Sequence, residues 1–249
     1  MSKGRTLVCS NINNSYSGLK QVLDRSEYNE NEDTIIFMGD YVDYHSEPLE
    51  TLELLYALMI RNSRNIFLKG DHDDDLQCYM VDGIEPMHWY GSGGAVTKKA
   101  IDKLKNDEDR FDRIRSFLSK LKPFYMPPDT NDLFIHGGYR NARGPGYEIK
   151  ESTLYNDVTL WSKGVSWANI NKNKKEGDKD PFPRLTSLYD RIITSHVDLL
   201  NNHKKLRPCK AANVFNLNTG ARGLGRISMI NLNTTDFWQS DNMNEIYKN

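Results

Sequence analysis

Apolar residues in this chain occur in short runs, many of them β-branched, and each run gives way to a polar or glycine-bearing segment. Short runs of this kind favour buried β-strands over helices, which need longer segments with apolar residues at every third or fourth position. The pattern therefore predicts strands at residues 6–9, 34–38, 65–68, 133–135, 191–194, 214–215 and 227–230.

Longer segments between the early strands carry apolar residues at helical spacing. One helical pattern begins near Tyr16, and a second occupies residues 48–60, where Pro48 stands at the position that favours helix initiation. We interpret these stripes as the core-facing sides of helices. Strand–helix alternation early in the chain, followed by closely spaced strands, predicts an α/β fold of two packed sheets with helices outside. A further helical stripe, closed by Pro123, comprises Phe111, Ile114, Phe117, Leu118 and Leu121.

The length of 249 residues and the hydrophobic content of 38% allow one α/β domain or two small ones. We predict a single domain over residues 1–249, because the strands late in the chain continue the same predicted core. Residues 169–183 (NINKNKKEGDKDPFP) are polar and charged, and they contain glycine and proline. We interpret this segment as a mobile surface loop and not as a domain linker.

Charge and cysteine content narrow the functional classes. The formal net charge is −1 and the isoelectric point about 6.6, so bulk attraction to nucleic acid or to an anionic membrane is not expected. Apolar runs stay below the roughly 18 residues that span a bilayer, and the N-terminal stretch lacks the apolar segment of a secretory signal. Cys9, Cys78 and Cys209 form no CxxC pair, which favours reduced thiols and a cytoplasmic location.

Aspartate or histidine residues follow four of the predicted strands within a few positions. Because strand ends of one sheet meet at one edge, these side chains could come together in space. Converging carboxylate and imidazole groups suit a divalent transition metal. One aspartate after glycine is usually a turn residue, so the repetition of the pattern carries the prediction. The segments are residues 39–43 (GDYVD), 69–75 (KGDHDDD), 136–138 (HGG) and 194–196 (TSH).

The order of these segments resembles that of the calcineurin-like metallophosphoesterases, and most closely their bacterial and phage serine/threonine phosphatase and diadenosine-tetraphosphatase branch. Three further segments extend the resemblance. It implies a four-layer α/β/β/α sandwich of two mixed sheets flanked by helices, with the site at the sheet edge. Residues 89–94 (WYGSGG) are similar to the branch's W…NGG, residues 160–163 (LWSK) to its LWIR, and residues 216–226 (NLNTGARGLGR) to its INLDTGA…GG.

The resemblance implies two metal sites, and the first is degenerate in this chain. The family's first motif is Asp-x-His-Gly, and Asn11, Asn13 and Asn14 stand in its place. An amide offers only a neutral carbonyl oxygen, so a metal at Asn11 and Asn13 should be weakly held or absent. One divalent ion (manganese, zinc or iron) is expected at the second site. Its implied ligands are Asp40, Asp71 (asparagine in the family), His136 and His196.

Catalytic and phosphate-binding positions follow from the same resemblance. His72 matches the histidine that protonates the leaving group or steadies the transition state, and Asp73 stands where a carboxylate could orient it. The family's phosphate-binding arginines are replaced by Tyr44, Lys69 and Lys163. Lysine lacks the planar two-point grip of a guanidinium on phosphate, and tyrosine lacks the charge as well.

Three interpretations of the asparagines remain open. The preferred one is a pseudo-phosphatase that binds a phosphorylated protein or a nucleotide with weak or no hydrolysis, because the departures concentrate in the phosphate pocket. The alternative is an active metal-dependent phosphoesterase that acts on phosphoprotein or dinucleoside polyphosphate with one tight metal. A third, ranked last, is that the asparagines were engineered to trap a ligand. Each 1.4 kcal/mol or so of lost transition-state stabilisation lowers the rate about tenfold.

Overall fold

The computed structural model describes residues 4–248, with residues 202 and 203 described by their backbone alone. Two sheets of five strands each make up its centre. The strands are β1 (Thr6–Cys9), β2 (Thr34–Phe37), β3 (Ile66–Phe67), β4 (Phe124–Tyr125), β5 (Asp132–Ile135), β6 (Arg191–Thr194), β7 (Cys209–Ala211), β8 (Val214–Asn216), β9 (Ser228–Asn231) and β10 (Phe237–Gln239).

Both sheets are mixed. The first has the order β10-β9-β1-β2-β3, with β1, β2 and β3 parallel and the late strands β9 and β10 added antiparallel. The second has the order β4-β5-β6-β8-β7, with β5, β6 and β8 parallel between two antiparallel edge strands. The parallel strands of each sheet therefore bring several strand ends to one edge.

Helices follow the strands and cover the outer faces of both sheets. Pro48 opens the second helix, as predicted, and the Ser15 side chain caps the first by accepting from the Gly18 amide. The helices are α1 (Tyr16–Arg25), α2 (Pro48–Arg61), α3 (Asp71–Gln77), α4 (Gly94–Lys103), α5 (Glu108–Leu118), α6 (Thr153–Asn156), α7 (Thr159–Asn171), α8 (Leu199–His203) and α9 (Met243–Ile246).

Three apolar layers hold the fold together. Side chains of α1, α2 and α5 pack on the first sheet, and those of α6 and α7 pack on the second. A middle layer lies between the sheets and draws on both of them. It consists of Val8, Ile36, Met38, Leu68, Phe134, Ile193, Leu217, Ile230 and Leu232. The predicted α/β architecture of two mixed sheets flanked by helices is confirmed.

Some details differ from the prediction. The segment predicted as a loop at residues 169–183 begins with the last turn of α7, which continues to Asn171. The remainder folds back on α7, since the Trp167 indole donates to the Asp180 carbonyl at 2.9 Å and its ring packs on Phe182. Within residues 4–248 no helix is long and apolar enough to cross a membrane.

Candidate metal and phosphate site

Four of the predicted ligand side chains converge where the two sheets meet. Asp40 follows β2 and Asp71 opens α3 after β3, whereas His136 and His196 follow β5 and β6 of the other sheet. One ligand atom from each lies within 4.8 Å of the other three. His136 Nε2 is 3.3 Å from Asp40 Oδ2 and 3.4 Å from Asp71 Oδ1, and His196 Nδ1 is 3.2 Å from that same Asp71 oxygen.

The backbone around Asp40 is shaped for this convergence. Gly39 and Asp40 both adopt positive φ, at 93° and 54°, which turns the chain sharply at the end of β2. Gly70 lets the start of α3 approach closely, because a Cβ there would lie 2.1 Å from Asp40 Oδ1. Glycine at position 70 therefore allows the carboxylates of Asp40 and Asp71 to reach one point.

The donor atoms of the cluster suit a divalent cation. His136 Nδ1 lies 2.7 Å from the Met38 carbonyl oxygen and donates its proton there, so Nε2 is the nitrogen that faces the carboxylates and would bind a metal. Asp71 Oδ1, His136 Nε2 and His196 Nδ1 are buried and have no hydrogen-bond partner. Unpaired buried polar atoms are rare and costly. Two carboxylates and two neutral imidazoles would give one divalent ion a net-neutral ligand set.

Proton binding competes with metal binding at this cluster. Burial by itself lowers the pKa of His136, but the charges of Asp40 and Asp71 outweigh burial and hold that pKa well above its usual value. Burial tends to raise the pKa of Asp71, while its contacts with His136 and His196 lower it more. Both directions favour a proton on His136 beside an ionised Asp71 in the metal-free protein, and a bound cation would displace that proton.

Asn11 is engaged entirely by protein groups at the position of the degenerate first metal site. Its Nδ2 donates to Asp40 Oδ2 at 2.7 Å, and its Oδ1 accepts from the Ser195 hydroxyl at 2.6 Å. An amide N–H thus bonds Asp40 Oδ2, the oxygen that also lies 3.3 Å from His136 Nε2, and takes the side of this oxygen that faces Asn11. The side chain is buried, so the two hydrogen bonds are shielded from water.

Asn13 and Asn14 lie beside Asn11 and are also buried. Asn13 Nδ2 donates to the Val42 carbonyl at 3.4 Å, and Asn14 Nδ2 donates to Thr97 Oγ1 at 3.0 Å. The Oδ1 atoms of both residues have no hydrogen-bond partner. Unlike Asn11, Asn13 therefore keeps one carbonyl oxygen free to accept a bond from water or a ligand.

His72 is oriented by Asp43, which the sequence interpretation did not assign. Asp43 Oδ2 accepts from His72 Nδ1 at 2.7 Å and from the Trp89 indole at 2.9 Å, and Thr97 donates to its Oδ1 at 2.6 Å. Burial lowers the pKa of His72, but the Asp40 charge and the Asp43 hydrogen bond raise it overall to about 10. In the metal-free protein these interactions favour a charged His72 at neutral pH, with Nε2 as the nitrogen that could donate a proton. Asp43 is the second aspartate of the GDYVD segment, and its place in that segment was the sequence signal that could have identified it.

Asp73 has a different role from the one predicted, since it does not contact His72 through its carboxylate. Its Oδ2 accepts from the backbone amides of Asp40 at 2.7 Å and Gly70 at 2.9 Å, and its Oδ1 accepts from that of Tyr41 at 2.9 Å. Burial and the Asp40 charge raise the pKa of Asp73 to about 7, against these amide donors. Asp73 ties the loop after β2 to the start of α3.

The three predicted phosphate-binding residues are dispersed. Lys69 Nζ lies 3.3 Å from Asp74 Oδ1 and 3.5 Å from Glu151 Oε1, so its charge is directed to other carboxylates. Lys163 is exposed on α7. Tyr44 is close to the candidate site: its hydroxyl is 3.4 Å from His72 Nε2, and its ring meets the imidazole edge-on at 5.2 Å.

Arg222 is a charged residue at this site that the sequence interpretation missed. Its Nε donates to Asp198 Oδ2 at 3.3 Å. Burial raises the pKa of Tyr44, and the charge of Arg222 offsets part of that rise. With His196 and with Trp161 and Ser162 of α7, it lines a cavity of 410 Å³. The arginine inside the NLNTGARGLGR segment was visible in the sequence, but its placement depends on the turn after β8.

Comparison with known proteins decides the family. Residues 4–211 match the model of the calcineurin-like phosphoesterase family. The chain belongs to this family. Among its relatives is a symmetrical bis(5'-nucleosyl)-tetraphosphatase of Xylella fastidiosa strain 9a5c, 23% identical over 171 residues that cover 62% of this chain and 55% of the relative. The serine/threonine-protein phosphatase PP1-delta of Caenorhabditis elegans is 32% identical over 68 residues, 27% of this chain and 22% of the relative.

Solved structures of this family support the fold. A serine/threonine phosphatase from Saccharomyces cerevisiae with similarity to human phosphatase PP5 matches with a TM-score of 0.59 and 12% identity, over 96% of this chain and 80% of that one. A metallophosphoesterase from Sphaerobacter thermophilus matches with a TM-score of 0.53 and 14% identity, over 96% and 88%. The chain spans about half the length of the tetraphosphatases it matches.

This member of the calcineurin-like phosphoesterase family thus has two unequal halves at its site. On one side, Asp40, Asp71, His136 and His196 form a cluster with unpaired donor atoms. On the other side, the Asn11 amide fills the corresponding space with hydrogen bonds to the protein. Family membership and geometry agree that a divalent cation could be held by the first half.

Proposed function

We propose that the protein holds one divalent metal ion at Asp40, Asp71, His136 and His196 and binds a phosphorylated ligand there, with slow or no hydrolysis. The ligand class is a phosphorylated protein or a nucleotide. The names of the relatives support this class, since they include a bis(5'-nucleosyl)-tetraphosphatase and a serine/threonine-protein phosphatase. A divalent ion at this cluster would neutralise phosphoryl charge and activate water.

The observation that carries the proposal is the contact between Asn11 and Asp40. In a two-ion site a metal would take the Asp40 oxygen that accepts from Asn11 Nδ2 at 2.7 Å. The Ser195 hydroxyl donates to Asn11 Oδ1 on the other side of the amide. Rotating the Asn11 amide away from Asp40 would therefore break two buried hydrogen bonds. Each such bond contributes about 0.5–1.5 kcal/mol, and an unpaired partner would add a desolvation cost. A second ion is therefore disfavoured by the native contacts as well as by the loss of a carboxylate ligand.

A specific observation favours the alternative of an active phosphoesterase with one metal. The histidine that would act as proton donor is in place, because Asp43 holds His72 Nδ1 at 2.7 Å and leaves Nε2 beside the Tyr44 hydroxyl. Trp89 and Thr97 in turn fix the Asp43 carboxylate. A leaving-group oxygen near His72 could receive its proton, which is a step that does not depend on Asn11 or Asn13.

Metal titration and a turnover assay distinguish the pseudo-phosphatase from the active phosphoesterase. Calorimetric titration of chelator-treated protein with manganese should give one ion per chain, and His136→Ala should weaken binding at least a hundredfold because it removes one of four ligands. Hydrolysis of a generic aryl phosphate by the native chain should be slow. Asn11→Asp with Asn13→His should raise the stoichiometry towards two and the rate by orders of magnitude.

A matched control uses two exposed asparagines with the same spacing. Asn29→Asp with Asn31→His introduces the same residue types away from the cluster and should change neither stoichiometry nor rate. Two manganese ions per native chain would contradict the single-metal proposal. If the native chain hydrolysed the aryl phosphate at an ordinary phosphatase rate with one bound ion, the active phosphoesterase would be the correct interpretation and the pseudo-phosphatase would be wrong.

A further inference from the structure

The candidate site has lost the guanidinium groups that its family resemblance implies. Tyr44, Lys69 and Lys163 stand at the three positions, and none of them supplies a planar fork of donors. Lys69 faces the carboxylates of Asp74 and Glu151. A phosphoryl group carries two negative charges or nearly so, and its binding needs donors beyond one metal ion.

Arg222 brings a guanidinium to the same place from another part of the chain. It follows Gly220, whose φ is 84°, in the turn after β8. Asp198, a buried carboxylate, holds its Nε at 3.3 Å, while the side chain remains 44% exposed. A guanidinium has five N–H donors, and a carboxylate accepts at most two of them in a fork. Donors therefore remain for a ligand.

The contacts of Arg222 link the two functional groups of the site. On one side it shares a 410 Å³ cavity with the candidate metal ligand His196. On the other its charge acts on the Tyr44 hydroxyl, which lies 3.4 Å from His72 Nε2. The Tyr44 ring is confined against Gly93, where a Cβ would lie 3.0 Å from the ring. Tyr44 is thus fixed beside His72, within the field of the arginine.

We propose that Arg222 binds the phosphoryl oxygens of the ligand and replaces the family arginine that Tyr44 has displaced. The proposal rests on the proposed function, because it assumes a phosphorylated ligand at the His196 side of the cluster. Asp198 positions the guanidinium through the contact with its Nε. The ligand class is a terminal phosphate, as in a phosphomonoester or the end of a polyphosphate.

Inorganic phosphate is the probe for this proposal. We expect calorimetric titration of phosphate into the manganese-loaded full chain to show binding, and Arg222→Ala to raise the dissociation constant about tenfold or more, the loss expected for charge-assisted hydrogen bonds. Manganese affinity measured without phosphate should not change. Arg222→Lys keeps the charge beside Asp198 and should recover only part of the phosphate affinity, since it lacks the fork.

A rescue variant separates a ligand contact from a merely structural role. Tyr44→Arg combined with Arg222→Ala returns a guanidinium to the family position and should restore phosphate affinity. If Arg222 only anchored its turn, Tyr44→Arg would not compensate. The matched control is Arg25→Ala, which removes a similarly exposed arginine (41%) paired with Asp241 and should leave both affinities unchanged.

The outcomes separate this proposal from the proposed function. Unchanged phosphate affinity in Arg222→Ala, with binding by the native chain, overturns the role of Arg222 and leaves the proposed function standing. Equal losses of manganese and phosphate affinity, or failure of the Tyr44→Arg rescue, also overturn it. No phosphate binding by a native chain that binds manganese overturns the phosphorylated-ligand function itself.

Discussion

Backbone conformation gives a local reason for the residue types around the site. Five non-glycine residues in the loops after β1 and β2 have positive φ: Asn13 (52°), Asn14 (60°), Asp40 (54°), Asp43 (75°) and Tyr44 (69°). Asparagine, aspartate and histidine tolerate this left-handed region better than most residues do. Asn13→His is therefore compatible with the existing backbone. Clusters of positive φ at residues other than glycine are also a feature of many active-site loops.

Asp73 shows how a side chain can be structural at a site and still resemble a catalytic residue. Asp73→Asn should lower the free energy of unfolding by about 2–4 kcal/mol at pH 8, where the native carboxyl is ionised. The reason is that an amide NH₂ would face one or two of the backbone donors at Asp40, Tyr41 and Gly70. Urea unfolding of the metal-free protein measures the change.

The neighbouring Asp74 provides the control for this prediction. Asp74 is partly exposed and its carboxylate contacts Lys69 at 3.3 Å, so Asp74→Asn should cost less than about 1 kcal/mol. Equal stability of Asp73→Asn and Asp74→Asn would contradict the structural role of Asp73. Sequence alone could not make this distinction, because Asp73 adjoins His72 in the chain, whereas Asp43 is 29 residues away and is brought to His72 only by the turn after β2.

At the scale of elements, an arginine–aspartate fork joins neighbouring parallel strands at the start of each sheet. Arg5, just before β1, donates to Asp33, just before β2, through Nε at 3.1 Å and Nη2 at 2.6 Å. Arg191 of β6 donates to Asp132 of β5 at 2.8 and 2.6 Å. Arg191 also donates to the Leu232 carbonyl after β9, which connects the second sheet to the first.

The Arg5–Asp33 fork should give the protein a defined acid sensitivity. Burial tends to raise the pKa of Asp33, but hydrogen bonds from Arg5 and from the Asn29 amide lower it below the usual value. A carboxyl whose pKa is depressed on folding stabilises the protein above its unfolded pKa of about 3.9 and loses this effect as the pH falls through the folded value. Asp33→Asn should therefore destabilise by about 2–3 kcal/mol between pH 5 and 8.

Urea unfolding at several pH values tests this prediction. The stability difference between the native chain and Asp33→Asn should be constant from pH 5 to 8 and should shrink below about pH 4. Asp241→Asn breaks the exposed Arg25 pair instead and should cost no more than about 0.5 kcal/mol. A difference that does not depend on pH down to pH 3 would show that the Asp33 charge is not responsible.

The elements that sequence could predict differ physically from those it could not. Strands in the sheet interior, such as β1, β2, β5 and β6, are continuous apolar runs because both their faces are buried. The missed strands β4, β7 and β10 are edge strands of two or three residues that pair on one side only. Such strands need no apolar run, since their pairing comes from the chain folding back beside an existing strand.

At the scale of the whole molecule, the site depends on the alignment of the two sheets. The first sheet supplies Asp40 and Asp71 and the second supplies His136 and His196. Their order along the chain allowed the prediction that they meet. The relation between the sheets is set by the middle apolar layer, in which Val8 and Ile36 of one sheet pack with Phe134 and Ile193 of the other. No local pattern encodes that packing, and for the same reason Arg222 was not predicted near His72.

This shared middle layer leads to a prediction about unfolding. If residues 1–249 form one domain, separating the sheets would expose the buried faces of both, so neither should persist alone. We expect one calorimetric transition with equal calorimetric and van't Hoff enthalpies, shifted upward by manganese through preferential binding to the native state. Hydrogen exchange should give the amides of β1 and β6 the same highest opening free energy.

A core substitution sharpens that test. Leu217→Ala in the middle layer should lower the free energy of unfolding by about 2–5 kcal/mol and should reduce the protection of β1 and β6 together. The control is Leu160→Ala on α7, which packs on the second sheet alone and should also lower protection in both sheets if unfolding is cooperative. Two calorimetric transitions, or loss of protection in the second sheet only, would show that the chain unfolds as two units. The candidate site would then be disrupted when the sheets separate, because its carboxylates belong to the first sheet and its histidines to the second.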